Sequence, residues 1–146
     1  MGVRAIGVNH VAFEVHDLDE ALEWYGRYFD YELRGLRPKM AWIDLGDQFI
    51  ALSEGGPEAP DRNRHVGLVV DDKERLRALL LEEGEEVARE GSLRMRDPSG
   101  NVLEIVDYRD VQFSKTPSVM KAMGLDGLAK NEAAVEELRA KGIEPD

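Results

Sequence analysis

A short sequence repeat dominates this chain, and each copy of the repeat begins with a histidine. The copies are residues 10–15, HVAFEV, and residues 65–70, HVGLVV. The chain has only 3 histidines in 146 residues, so two of them at equivalent positions of a repeat are not expected by chance. A repeat that carries one metal-ligand side chain per copy can form a two-fold metal site where the copies pack together.

Composition and charge exclude several classes of function. A formal net charge of -11 disfavours binding to nucleic acid or to an anionic membrane surface. No apolar run reaches the roughly 18 residues that cross a bilayer, and the N-terminus does not resemble a signal peptide, so we expect a cytoplasmic protein. The absence of cysteine excludes disulfides, thiolate nucleophiles and cysteine-ligated metals. With nucleic acid and membranes disfavoured, we expect the binding partner to be a small-molecule substrate.

The predicted elements recur in the same order in both halves of the chain. A strand rich in β-branched residues, a helix and three short strands make up each half, which gives an α+β fold of two paired βαβββ modules. In the second half, the first of the three short strands is predicted near Glu86 to Ala88. The predicted organisation is one structural domain with a first module at residues 1–56, a connector at 57–63, a second module at 64–108 and a C-terminal helical tail at 109–146. We expect the tail to brace the sheet or a partner subunit.

Strand periodicity places both histidines on a face that has room for a ligand. Side chains alternate along a strand, so His10 shares a face with Ala12, and His65 shares a face with Gly67. The small second residue leaves volume above the sheet in each copy. Glu104 lies in an apolar strand, where a carboxylate is costly to bury without a cation or a donor. Two imidazoles and a carboxylate bind a divalent first-row metal, so His10, His65 and Glu104 are the predicted ligands.

Three further residues are candidates for a direct part in catalysis. Glu14 lies on the same predicted face as His10, where it would transfer a proton or pair with an arginine. Tyr108 and Arg109 follow the strand that contains Glu104 and would approach a ligand held at its end; a plain surface position fits these two equally well.

The motifs of this chain resemble those of the vicinal oxygen chelate superfamily, which is also called the glyoxalase, bleomycin-resistance and dioxygenase superfamily. They are NHVAFEV at residues 9–15, RHVGL at residues 64–68 and RDPSGNVLEI at residues 96–105. The resemblance covers about residues 5 to 110. It implies a mixed sheet curled around a divalent metal such as Fe, Mn, Zn, Ni or Co, and often a homodimer.

One departure from the superfamily pattern narrows the expected reaction. Glyoxalase I-like and methylmalonyl-CoA epimerase-like members use a fourth ligand on the last strand of the first module, where this chain has Ala51. Gln48 is nearby but has the opposite parity on the strand. A three-ligand set is instead similar to fosfomycin-resistance thiol transferases and to extradiol dioxygenases. The fosfomycin-resistance enzymes are expected to have a threonine two residues after the first histidine, where this chain has Ala12. Extradiol dioxygenases need further acid–base groups, and His16 is the only histidine left for that role.

Three functional hypotheses follow. The first is a metalloenzyme in which His10, His65 and Glu104 hold a metal that chelates two neighbouring oxygens of a small substrate. The second is a metal-free protein, like the bleomycin-resistance proteins, that binds and sequesters a cationic drug, which suits the net charge. The third is a regulatory or scaffold module that uses the C-terminal helices. Whether the modules pair within one chain or swap between subunits stays open.

Overall fold

The computed structural model describes residue 8 and residues 10–56, 59–61 and 64–145, so part of the predicted connector lies outside the described residues. The first module consists of β1 (His10–Val15), α1 (Leu18–Tyr28), β2 (Leu33–Arg37), β3 (Met40–Asp44) and β4 (Phe49–Glu54). The second module consists of β5 (Val66–Val70), α2 (Lys73–Glu82), β6 (Leu93–Arg96) and β7 (Val102–Asp107). The tail carries a 3₁₀ turn (Tyr108–Asp110), α3 (Pro117–Ala122) and α4 (Glu132–Ala140). None of the helices in these ranges has the length and apolar character that a membrane span requires.

Each module begins with a strand that is followed by an aspartate-capped helix. The Asp17 carboxylate accepts a hydrogen bond from the backbone N–H of Glu20 at 2.8 Å. The Asp72 carboxylate accepts one from the N–H of Arg75 at 3.0 Å. These bonds satisfy backbone donors that have no partner inside the first helical turn.

The first module forms a four-stranded mixed sheet in the order β1-β4-β3-β2. β1 runs parallel to β4, with His10 opposite Phe49 and Ala12 opposite Ala51. β3 pairs antiparallel with both β4 and β2. β1 therefore lies at the edge of its sheet.

The second module forms a three-stranded mixed sheet in the order β5-β7-β6, in which β5 is again an edge strand. The α+β class is confirmed, but the strand predicted near Glu86 to Ala88 is wrong. Arg77, only 3% exposed, donates hydrogen bonds from its guanidinium to the carbonyls of Ala88 and Gly91. The carbonyl of Ala88 is therefore paired with a side chain, and residues 85–88 form no strand.

The core lies on the side of each sheet that faces away from the histidines. Phe13 and Val15 alternate with exposed residues along β1 and are buried, as the strand period predicts. The helices contribute the other half of this core. Their buried apolar residues are Leu18, Ala21, Tyr25, Tyr28, Leu76 and Leu80.

A buried carboxylate joins the two modules. Asp97 is 4% exposed and follows β6 in the turn to β7. One of its oxygens accepts hydrogen bonds from the backbone N–H groups of Ser99 and Asn101, at 3.0 and 2.9 Å. The other accepts from the Asn101 amide at 2.7 Å and from the hydroxyl of Tyr25, on α1 of the first module, at 3.2 Å. Burial raises the pKa of Tyr25, and the charge of Asp97 raises it further, so the hydroxyl keeps its proton and donates.

The same turn also binds the end of β1. The Ser99 hydroxyl accepts a hydrogen bond from the backbone N–H of His16 at 2.8 Å. The Asn101 amide donates to the backbone carbonyl of Glu14 at 2.9 Å. The Asp-Pro-Ser-Gly-Asn segment therefore fixes the β6–β7 hairpin to the first module.

The tail packs on itself and on the first module of its own chain. The Lys130 ammonium donates to the carbonyls of Tyr108 and Val111, each at 2.6 Å, and lies 3.5 Å from the centre of the Tyr108 ring. Further along, α3 packs on the turn between β3 and β4. A Cβ at Gly46, whose φ is +91°, would come within 2.8 Å of the Met123 sulfur. Lys115 also pairs with Asp47 in that turn.

We expect Asp97→Ala to lower the free energy of unfolding by about 2–4 kcal/mol, because it leaves several buried donors without an acceptor. Urea denaturation measures this change. Asp126→Ala, at an exposed aspartate, is the matched control and should shift the unfolding free energy by less than about 0.5 kcal/mol. Equal stability of the two variants would show that the carboxylate does not join the modules.

Candidate metal centre

Two of the three predicted ligands meet on the open face of the second sheet. His65 immediately precedes β5, and Glu104 lies in β7, which runs parallel to β5. The Nε2 atom of His65 is 3.4 Å from the Oε2 atom of Glu104. Both side chains are accessible, at 40% and 31% exposure. A Cβ added to Gly67, which pairs with Glu104, would contact nothing within 4 Å, so the face is open beside the carboxylate.

An arginine explains how Glu104 is tolerated in an apolar strand. Arg94 of β6 pairs directly with Glu104 across the sheet. Its guanidinium donates two hydrogen bonds to the oxygen that also faces His65, at 2.7 and 3.2 Å. The positive charge of Arg94 offsets the cost of holding a half-buried carboxylate among apolar neighbours.

His10 occupies the matching place on the first sheet. It begins β1 and is exposed, and its ring stacks on that of Phe49 with centroids 4.6 Å apart and planes 6° from parallel. The guanidinium of Arg34 lies 4.8 Å from the centre of the same Phe49 ring. Arg34 therefore contacts the ring on which His10 stacks, and Arg94 contacts the carboxylate that faces His65.

His10 does not join the other two ligands within one chain. In the part of the chain that the structure describes, no three His, Asp or Glu side chains form a group able to hold a metal ion. The donor types still fit one, since imidazole nitrogens and a carboxylate oxygen are ligands that divalent first-row metals accept. Within the described residues of one chain, His65 and Glu104 are therefore the two predicted ligands that lie together.

The fourth-ligand position offers no donor. Ala51 is 5% exposed and lies opposite Ala12 in the β1–β4 pairing, on the face that carries His10. The Gln48 amide instead donates a hydrogen bond to the carbonyl of Val8 at 2.9 Å. Ala51 therefore supplies no ligand atom beside His10, and the three-ligand set stays a prediction.

The candidate catalytic residues lie in different surroundings. Glu14 is exposed and shares the face of His10. Tyr108 is 9% exposed and lies beneath the Lys130 ammonium. Arg109 donates to the Asp107 carboxylate at 3.0 Å and to a backbone carbonyl. Tyr108 and Arg109 therefore help to hold the tail.

Arg94 and Arg34 are residues of these faces that the sequence analysis missed. The alternation in Leu93-Arg94-Met95-Arg96 is a signal that Arg94 and Arg96 point away from the core. That pattern does not reveal which residue of β7 lies opposite Arg94, because the register depends on the turn between the strands.

Two cavities lie near these elements. The larger, about 650 Å³, lies between the modules rather than at the His65–Glu104 pair. The smaller, about 400 Å³, lies on the open face of the first sheet, where Arg34, Trp42 and Phe49 are among its walls. We place the candidate site on the open faces because the convergent ligand atoms are there.

The chain belongs to the Glyoxalase/Bleomycin resistance protein/Dioxygenase superfamily, because the profile of that superfamily matches residues 7–105. No curated protein matches the chain significantly.

Solved structures support the same fold. A possible glyoxalase from Bacillus cereus has a TM-score of 0.60 at 23% identity, covering 70% of this chain and 99% of that one. The fosfomycin resistance protein FosX from Listeria monocytogenes has a TM-score of 0.60 at 17% identity, covering 71% and 94%. Lactoylglutathione lyase from Agrobacterium tumefaciens has a TM-score of 0.55 at 21% identity, covering 70% and 93%. Identities this low show the fold and do not select an activity.

We expect His65→Ala to weaken Zn²⁺ or Mn²⁺ binding by at least about 100-fold, because it removes a nitrogen ligand. Its unfolding free energy should change by less than about 0.5 kcal/mol, since the side chain is accessible. Calorimetric metal titration and urea denaturation measure the two effects. His16→Ala is the matched histidine control and should bind metal like the wild type. Unchanged metal affinity in His65→Ala would exclude His65 as a ligand.

Proposed function

We propose that this protein is a metal-dependent enzyme in which His10, His65 and Glu104 bind one divalent metal ion. The observation that carries the proposal is the convergence of His65 and Glu104, 3.4 Å apart on an accessible face beside Gly67. When bound, Fe, Mn, Zn, Ni or Co would act as a Lewis acid toward two neighbouring oxygens of a small substrate.

A second copy of the chain supplies His10 in this proposal. β1 and β5 each lie at the edge of their sheet in the described residues, and an edge strand is a place where a strand of another chain can add. Two copies related by a two-fold axis bring β1 of one chain beside β5 of the other. Each dimer then contains two equivalent sites, and each site takes ligands from both chains.

The remaining side chains shape the space around the ligands. Ala12 and Gly67 leave room above the sheets. Trp42, which is half-buried on the face of Ala12, provides an apolar wall. With Ala51 in place of a fourth ligand, we favour chemistry of the thiol-transfer or dioxygenase type over that of four-ligand isomerases.

The metal-free alternative, sequestration of a cationic drug, rests on the net charge of -11. The arginines on the open faces do not favour it, because Arg34 lies against the Phe49 ring on which His10 stacks and Arg94 pairs with Glu104. Elemental analysis of the untagged protein separates the two hypotheses. Metal at about one ion per chain supports the enzyme, and a protein that cannot be loaded with metal supports sequestration.

Mixing two defective variants tests whether the site is shared between copies. We expect His10→Ala and His65→Ala each to lose stoichiometric metal when prepared alone. In a mixed dimer, one site keeps all three ligands: His65 and Glu104 of the His10→Ala chain, and His10 of the His65→Ala chain. After unfolding and refolding the two variants together, we expect about a quarter of the wild-type metal content, since about half of the dimers are mixed.

Two controls give the mixing experiment its meaning. Co-refolding His65→Ala with Glu104→Gln should restore no metal, because both changes fall on the same half of the site. Wild-type protein refolded in the same way should recover its full metal content. If His10→Ala and His65→Ala together bind no metal while the wild type does, the ligands do not combine across subunits.

A further inference from the structure

The cavity between the two modules is large enough to hold a small molecule. Its volume is about 650 Å³, and sites for small organic ligands span about 300–1,000 Å³. The walls come from α1, from the strands β3, β4 and β5, from α2 and from the tail. A molecule in this space would therefore contact both modules and the tail at once.

This cavity lies on the side of the first sheet that faces away from His10. Ile43 and Ile50 line the cavity and pair with each other across β3 and β4. The adjacent pair, Trp42 and Ala51, lies on the face that carries His10. Because side chains alternate along a strand, Ile43 and Ile50 point to the opposite face. A ligand of the cavity is therefore separated by the sheet from the proposed metal ligand His10.

The tail closes part of the cavity. Met123, which follows α3, and Leu125 both line it. The β3–β4 turn holds α3 in place, since a Cβ at Gly46 would come within 2.8 Å of Met123 and 3.0 Å of Val119. These tail residues lie beyond the residues 7–105 that the superfamily profile matches. The cavity therefore has a wall that is not part of the matched fold.

The interior of the cavity is apolar. Phe29, Leu45, Val70 and Leu79 line it and pack against the core while staying only partly buried. An apolar ligand body that covers these side chains removes their surface from water, which is favourable in proportion to the area covered. The interior therefore favours a ligand with an apolar body.

The charged residues of the cavity wall are mostly exposed and mostly acidic. They are four aspartates and two arginines: Asp30, Asp44, Asp71, Asp72, Arg27 and Arg75. Arg27 lies 3.6 Å from Glu23 and 3.9 Å from Glu83, so its charge is already offset by other carboxylates. The excess of negative charge at this rim complements a ligand that carries a positive charge.

We propose that this cavity is a second ligand site, which binds a small molecule with an apolar body and a positively charged amine. The body covers the apolar wall, and the amine lies among the carboxylates of the rim. Since the ligand contacts both modules and the tail only when the chain is folded, its binding stabilises the folded state. The site is separate from the proposed metal centre, and the proposal holds whether or not that centre binds metal.

Two compounds of similar shape and opposite charge test the proposal near neutral pH. Phenylbutylammonium ends in an amine, and phenylbutyrate ends in a carboxylate. Calorimetric titration into the metal-free full chain should show at least about tenfold tighter binding of phenylbutylammonium. Phenylbutylammonium should also raise the melting temperature. A wild-type protein that binds neither compound, or that binds both equally, overturns the proposal.

A change that fills the cavity tests where the compound binds. Leu79→Trp places a larger side chain in the cavity, so the affinity for phenylbutylammonium should fall at least about tenfold. Leu81→Trp makes the same change on the same helix at a residue outside the cavity wall, and it should bind like the wild type. Urea denaturation checks that both variants fold. Equal affinities in the two folded variants would place the compound elsewhere and overturn the site.

Met123→Ala tests the same location from the tail and does not depend on the folding of Leu79→Trp. It removes part of the wall that α3 supports, so phenylbutylammonium should bind at least about threefold more weakly. Ile143→Ala truncates another exposed apolar side chain of the tail, outside the cavity wall, and should leave the affinity unchanged. If Met123→Ala binds like Ile143→Ala, the tail does not form part of the site.

A last pair of variants separates the charge of the rim from the net charge of -11. Asp71→Asn removes one carboxylate of the rim and should weaken phenylbutylammonium binding about threefold. Asp126→Asn changes the net charge by the same amount at an exposed aspartate outside the cavity wall, and it should bind like the wild type. Equal losses in both variants would show that the overall charge attracts the compound, which overturns the role of the rim.

Discussion

The buried carboxylate of Asp97 is the constraint on which the rest of the structure depends. A charge this deeply buried is stable only when its oxygens are fully hydrogen-bonded, and here the four donors come from Tyr25, Ser99 and Asn101. Because Tyr25 belongs to the first module and the turn to the second, the network sets how the two modules meet. The same turn leads into β7, so the strand that carries Glu104 is anchored to the end of β1.

That anchoring leaves the histidine strands at the edges of two separate sheets. β5 brings His65 to Glu104, whereas β1 presents His10 on the other open face. We propose that two copies associate through these edge strands, so that the ligands predicted on both faces meet. In our proposal, dimerisation supplies the third ligand and pairs the exposed edges, so assembly and metal binding depend on one another.

Local patterns predicted much of this arrangement. Alternation along β1 and β5 predicted which side chains lie opposite the core. The predicted strand near Ala88 does not form, and the Ala88 carbonyl accepts a hydrogen bond from the buried Arg77 of α2, a contact that local residue preferences do not reveal. Arg94 opposite Glu104, and the separation of the histidines within one chain, depend on strand register and module packing. These are long-range features that no short sequence window contains.

Anomalous diffraction from crystals grown with Zn²⁺ tests the central claim most directly. The account predicts one strong peak per chain at the zinc edge, about 2.0–2.2 Å from His65 and Glu104 of one copy and from His10 of a second copy. A peak whose ligands include neither histidine, or crystals of zinc-saturated protein with no peak at these residues, would contradict it.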